Sequence, residues 1–99
     1  MRITEGQAQS IKGIVASLID PGVEVWLFGS RVDDYAKGGD IDILVVSKHD
    51  IDELVFVAAK ISTQVSRLFH GRKTDVILQT PSVELSPIHT IAKETGIKL

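Results

Sequence analysis

Asp40-Ile41-Asp42-Ile43-Leu44-Val45-Val46 decides the fold. The stretch alternates acid with isoleucine at its start and is wholly apolar from Ile43 onward. That is the pattern of a strand that begins at a solvent-facing edge and runs into a core. Alternation also projects Asp40 and Asp42 from one face, with Cα atoms about 6 to 7 Å apart. Upstream, residues 23–28 mix β-branched, aromatic and aliphatic side chains and stop at Gly29, a second short strand that ends on Gly29-Ser30. Between the two strands, Ser30 can cap a short helix over residues 31–36, closed by a Lys37-Gly38-Gly39 turn.

The flanks read as helices and one more strand. From residue 4 to residue 19, Ala8, Ile11, Ile14, Val15, Leu18 and Ile19 keep three-and-four spacing, Thr4 and Gln7 form a capping box, and Pro21-Gly22 ends the helix. Downstream, Asp50 with Glu53 opens the longest helix. Its buried stripe is Ile51, Leu54, Val55, Ala58, Ile61, Val65, Leu68 and Phe69, and it runs up to Gly71. Residues 73–79 read as a third strand, and residues 87–95 as a last helix closed by Gly96. The expected architecture is α/β, a small mixed three-stranded sheet flanked by helices in the order α-β-α-β-α-β-α, one domain over residues 1–99.

Composition narrows the function. The chain has 99 residues, with 11 Lys and Arg against 13 Asp and Glu, and no cysteine. An acidic balance argues against nucleic acid as a partner, because binding it needs clustered cations to displace phosphate counterions. Without cysteine there are no disulfides, thiolate metal sites or cysteine nucleophile. No apolar run approaches the roughly 20 residues that span a bilayer, and Glu5, Gln7, Gln9 and Ser10 leave no apolar signal-peptide stretch. The expectation is a cytoplasmic protein with no membrane partner, too small to house its own acceptor.

Three features converge at strand ends: Gly29-Ser30, Asp40-Ile41-Asp42, and Asp75 in the third strand. Two neighbouring carboxylates repel and resist ionising unless a cation sits between them. Hard oxygen ligands that share an ion with substrate phosphates suit Mg²⁺. If the third strand lies beside the second, Asp75 completes a site for two ions roughly 4 Å apart, which clamps the attacking and leaving oxygens of phosphoryl transfer. Gly29 lets backbone approach a phosphate, the amides and hydroxyl at Ser30 can bind its oxygens, and Arg31 adds a charge toward a polyphosphate leaving group.

Gly29-Ser30-Arg31, with nine residues between Ser30 and the first acid, Asp40-Ile41-Asp42-Ile43-Leu44-Val45 and, further on, Thr74-Asp75-Val76 together resemble the minimal nucleotidyltransferase (MNT) family of the DNA polymerase β-like superfamily. The resemblance covers most of the chain and includes the element order. It implies that Asp40, Asp42 and Asp75 are catalytic and bind two Mg²⁺ ions, with Asp75 also drawing the proton from the acceptor hydroxyl. It implies that Gly29, Ser30 and Arg31 bind the nucleoside triphosphate, ATP as donor. Members of this size are often encoded with a helical HEPN-type toxin, act as its antitoxin, and in some cases transfer AMP to a tyrosine of that toxin. The spacer here is one residue shorter than the usual form and carries Asp33 and Asp34 where that loop is often basic. Residues 31–53 hold three bases against seven acids, a field that favours cations and therefore entry of metal first or of a metal–nucleotide complex.

Other readings attach to the same residues. Asp40 and Asp42 can mark an ordinary turn-to-strand junction, Asp75 can be a protective charge on an edge strand, and Arg31 can pair with Asp33 or Asp34. His49, His70 and His89 have no zinc-site spacing. Trp26 reads as a core aromatic, Phe56 and Val57 as a small apolar patch for a partner or a second copy, and Lys60, Arg67, Arg72 and Lys73 as a mild basic zone, either solvated surface or a face for an acidic partner. The competing function is a non-catalytic module that neutralises a partner toxin by complex formation. Transfer to a small molecule is disfavoured, since such enzymes usually need an additional domain.

Overall fold

Thr4 opens the first helix, α1 (Glu5–Leu18), with a reciprocal cap. Its hydroxyl accepts from the Gln7 N–H at 3.0 Å, and the Gln7 side chain accepts from the Thr4 N–H at 2.8 Å. The computed structural model describes residues 3–29 and 40–99. After α1 come β1 (Glu24–Phe28), β2 (Ile41–Val46), α2 (Leu54–Leu68), β3 (Thr74–Gln79), α3 (Pro87–Thr95) and β4 (Ile97–Lys98). The short helix expected over residues 31–36 lies outside the described residues.

The strands form one mixed sheet in the order β3-β2-β1-β4. β1 runs antiparallel to both β2 and β4, and β2 runs parallel to β3. The parallel pair is joined through α2, whose two serines tie it to the start of β3: Ser62 Oγ donates to the Thr74 carbonyl and Ser66 Oγ to the Arg72 carbonyl, each at 2.7 Å. Period-two alternation sorts the sheet into two faces. Val25 and Leu27, Ile41, Ile43 and Val45, with Val76 and Leu78, pack against Ala8, Ile11 and Val15 of α1 and Ile61 and Val65 of α2. On the opposite face Trp26, Phe28, Leu44, Val46 and Ile77 meet Ala92 of α3. Trp26 is half-buried there, its indole N–H donating to Glu24 Oε1 at 3.2 Å.

Three expectations are corrected. Among the described residues the sheet has four strands, not three. β4 is two residues long, too short to show alternation, and it follows a glycine that reads as a helix stop. Gly96 is also needed sterically. A Cβ there would overlap the Ala92 carbonyl oxygen and lie 2.8 Å from that of Leu27, so only glycine lets the chain turn from α3 onto the edge of β1.

Next, α2 does not open at Asp50. It begins at Leu54, because Glu53 adopts a left-handed conformation (φ 53°, ψ 49°) that interrupts helical geometry and gives no side-chain cap. Asp50 instead accepts from Ser82, from the backbone N–H at 2.9 Å and the hydroxyl at 2.6 Å, tying the turn before α2 to the turn after β3. These bonds hold its carboxyl below the usual range, the Ser82 hydroxyl contributing most.

Val55 also lies outside the buried stripe, about a third of a turn round the helix from Ile61. Val55 is 83% exposed, and Val57, expected on the apolar patch, packs against the core. Phe56 is exposed as expected, with Lys60 Nζ 5.0 Å from its ring centroid. Among the described residues, no helix is long and apolar enough to cross a membrane.

Candidate functional site

β1 ends at Phe28, which lies opposite Asp42 in the antiparallel ladder, and on its other side Asp42 lies opposite Asp75 in the parallel ladder. Because β2 is central, a residue at its start is framed by both neighbours. Asp42 shares its face with Leu44 and Val46, the side covered in part by α3, and Asp75 shares that face with Ile77. Asp42 is therefore half-buried between strands, while Asp75, on edge strand β3, is exposed.

Gly29 closes the third side. It has φ 74°, a region that L side chains rarely adopt. A Cβ built there would overlap Asp42 Oδ2 and sit 3.0 Å from its Cγ. Two independent constraints thus favour glycine, and the second comes from the carboxylate itself. The sequence reading linked Gly29 to phosphate; the structure places it against Asp42.

The electrostatics follow from this placement. Burial pushes the Asp42 carboxyl above its ordinary range. The negative charges of Asp75 and then Asp40 add to the effect, as does a side-chain hydrogen bond with Asp75, and Lys73 partly offsets it. Asp40 stands just before β2 and is exposed. The structure brings Asp42 and Asp75 together, with Asp40 near enough to act on Asp42 through its charge. Among the described residues, no group of three His, Cys, Asp or Glu side chains is clustered as a metal cage. Ser30 and Arg31 lie outside the described residues. The chemistry of the pair nevertheless suits a hard divalent cation: oxygen donors only, mutually repelling, one of them held against bare backbone at Gly29.

The sequence reading passed over Lys73 as a residue near the acids and set it in a mild basic zone. Its Nζ lies 3.9 Å from Asp75 Oδ2. The signal was period-two spacing, since residues 73 and 75 share a face when the strand is extended by one. The histidines form no site among the described residues. His89 is buried at the start of α3, where its Nδ1 accepts from the Ser86 backbone N–H at 3.0 Å.

A solved structure described as "Crystal structure of putative nucleotidyltransferase" superposes with a TM-score of 0.57 over 95% of this chain and 98% of that one. At 22% identity the likeness establishes the fold alone. None of the curated proteins matches the sequence. The family model for the nucleotidyltransferase domain matches residues 8–98. With all but eight residues inside that match, the chain belongs to the nucleotidyltransferase domain family, whose reaction is the transfer of a nucleotidyl group.

Proposed function

We propose that the chain, as one domain over residues 1–99, is a cytoplasmic enzyme that transfers AMP from ATP to a hydroxyl of a partner protein. We further propose that it is the antitoxin of a HEPN/MNT pair whose helical partner is both toxin and acceptor. The observation that supports this reading most directly is Asp42 beside Asp75 in register, against a glycine whose positive φ and close approach to the carboxylate disfavour any side chain, within a nucleotidyltransferase domain.

In this reading Asp40, Asp42 and Asp75 hold two Mg²⁺ ions, and Gly29, Ser30 and Arg31 hold the triphosphate. Bound Mg²⁺ supplies Lewis-acid neutralisation of the phosphate oxygens. Asp75, exposed on the edge strand, is open to an incoming acceptor and takes its hydroxyl proton. The acceptor oxygen then forms its bond to the α-phosphorus in line, as the bond to pyrophosphate breaks and the departing oxygen keeps that electron pair. Asp42, central and framed on three sides, is the fixed member around which the others are placed.

The test is labelled ATP with Mg²⁺ and the protein encoded beside this one, using wild type and Asp42→Asn, which keeps the shape and removes the charge. The expected result is label on the partner with wild type and a loss on the order of 100-fold or more with the variant. Equal labelling by both would end the catalytic assignment.

A second reading, neutralisation by complex formation alone, is favoured by one observation: Leu85, Ile88 and Ile91 leave an exposed apolar stripe on and just before α3. Neutralisation that survives Asp40→Ala and Asp42→Ala would select this reading. Loss of neutralisation with the complex intact would select the enzyme.

A further inference from the structure

Lys73 is placed at the acidic pair by backbone hydrogen bonding as well as by its own side chain. Its carbonyl accepts from the Ile41 N–H at 2.9 Å, which locks the residue beside the start of β2. The parallel register that sets Ile41 opposite Thr74 and Asp42 opposite Asp75 puts Lys73 opposite Asp40 one step earlier. Asp40, Asp42, Lys73 and Asp75 therefore form a two-by-two block at one end of the sheet, three acids and one cation.

The ammonium is attached loosely. It is 3.9 Å from Asp75 Oδ2, the Lys73 side chain is 70% exposed and that of Asp75 50%. Exposed pairs of this kind are weak and readily exchanged. A compact dication carries twice the charge to the same oxygens and displaces a tethered monocation. Lysine binds phosphate well as a point charge, so phosphates that accompany a metal offer the displaced ammonium a new partner.

We propose that Lys73 is a built-in counter-cation that competes with free divalent metal for Asp42 and Asp75 and transfers to the phosphates when a metal–nucleotide complex arrives, so that the site discriminates against metal alone. The inference rests on the metal site of the proposed function and adds a role for a residue outside its motifs. It assigns Lys73 a binding role, and its signature is two effects of opposite sign.

The experiment measures binding, not turnover, on wild type, Lys73→Ala, Lys73→Arg and Asp42→Asn, each first checked for an unchanged circular dichroism spectrum. Calorimetric titration with Mn²⁺ alone is expected to show Lys73→Ala binding roughly threefold to tenfold more tightly than wild type, the change due to one unit charge a few ångströms from a dication in a solvent-like dielectric. Titration with a non-transferable ATP analogue in saturating Mg²⁺ is expected to show the reverse, weaker binding by a similar factor, with Lys73→Arg close to wild type in both. Unchanged or weaker Mn²⁺ binding by Lys73→Ala, with Asp42→Asn losing Mn²⁺, would overturn the role of Lys73 and leave the metal site standing. Mn²⁺ binding by Asp42→Asn as tight as wild type, or no binding by any of the four proteins, would overturn both.

Discussion

The two faces of the sheet are built from the same strands and do opposite things. Under α1 and α2, the face carrying Val25, Leu27, Ile41, Ile43 and Val45 is closed and apolar from end to end. Under α3, the face carrying Phe28 and Leu44 is apolar only in its middle, where Ala92 covers it, and gives way to Asp42 and Asp75 at one end. A nine-residue helix spans about 14 Å, enough to cover part of a strand layer and not all of it. One face stabilises the domain. The other surrenders part of its burial to acids that repel one another, as expected where a site is built at the expense of stability.

The sharpest way to break this comparison is to truncate adjacent residues that point to opposite faces. Ile43 and Leu44 are both fully buried. Ile43→Ala is expected to cost about 3–5 kcal/mol and Leu44→Ala about 2–3 kcal/mol in urea unfolding, because the thinner α3 side can collapse into the space left behind. Equal costs would mean that the two faces are packed alike.

Gly29→Ala comes next. It forces a side chain into a left-handed conformation and into the Asp42 carboxylate, and about 1–3 kcal/mol of stability should be lost. Combining it with Asp42→Ala should recover the part of that loss due to the clash, leaving the part due to φ. Full additivity would show that the carboxylate is not the obstacle.

A smaller effect carries the opposite sign. Asp42 has its carboxyl pushed up by burial and then by the neighbouring acids, so its ionised form is penalised in the folded state. Proton binding to Asp42 therefore favours folding. That contribution is complete below the unfolded value of 3.8 and is lost as pH rises through the higher folded value. Asp42→Asn is thus expected to melt slightly above wild type at neutral pH, by less than any core truncation costs, with the gap closing in acid. A variant less stable than wild type at neutral pH would show that the acids do not strain this face.

The smallest effect is at Asp50, in the turn before α2. Its carboxyl is held low by the Ser82 hydroxyl and backbone, so it contributes stability above 3.8 that is lost as pH falls through its depressed folded value. Asp50→Ala should melt slightly lower than wild type at neutral pH and converge with it in strong acid.

Much of this was legible in the residues. Thr4 and Gln7 announce the start of α1, Pro87 and Gly96 bracket α3, and the run from Ile43 to Val46 could only be a core strand. The acids at the head of β2 and in β3 were visible as exceptions to apolar runs. Asp50 misled because an acid three residues before a glutamate has the spelling of a capping box, and nothing local shows that Ser82, 32 residues later, will take that carboxylate. Val55 and Val57 flank the apolar stripe of α2, and three-and-four spacing does not decide which flank the core covers; it covers Val57 and leaves Val55 exposed. Lys73 shares a face with Asp75 by period-two spacing, but its place opposite Asp40 depends on the register between β2 and β3.

By itself, then, the order of residues determined α1, α3, the body of α2, three of the strands and the identity of the acids, since caps, breakers and periodicity act within a few residues of each other. Only the tertiary structure decided that β2 and β3 run parallel in the register that sets Asp42 against Asp75, that a two-residue β4 completes the sheet, and that Gly29 closes on a carboxylate. Those outcomes depend on contacts between segments distant in the chain, where a shift of one residue would turn every side chain to the other face, and no short-range pattern encodes that choice.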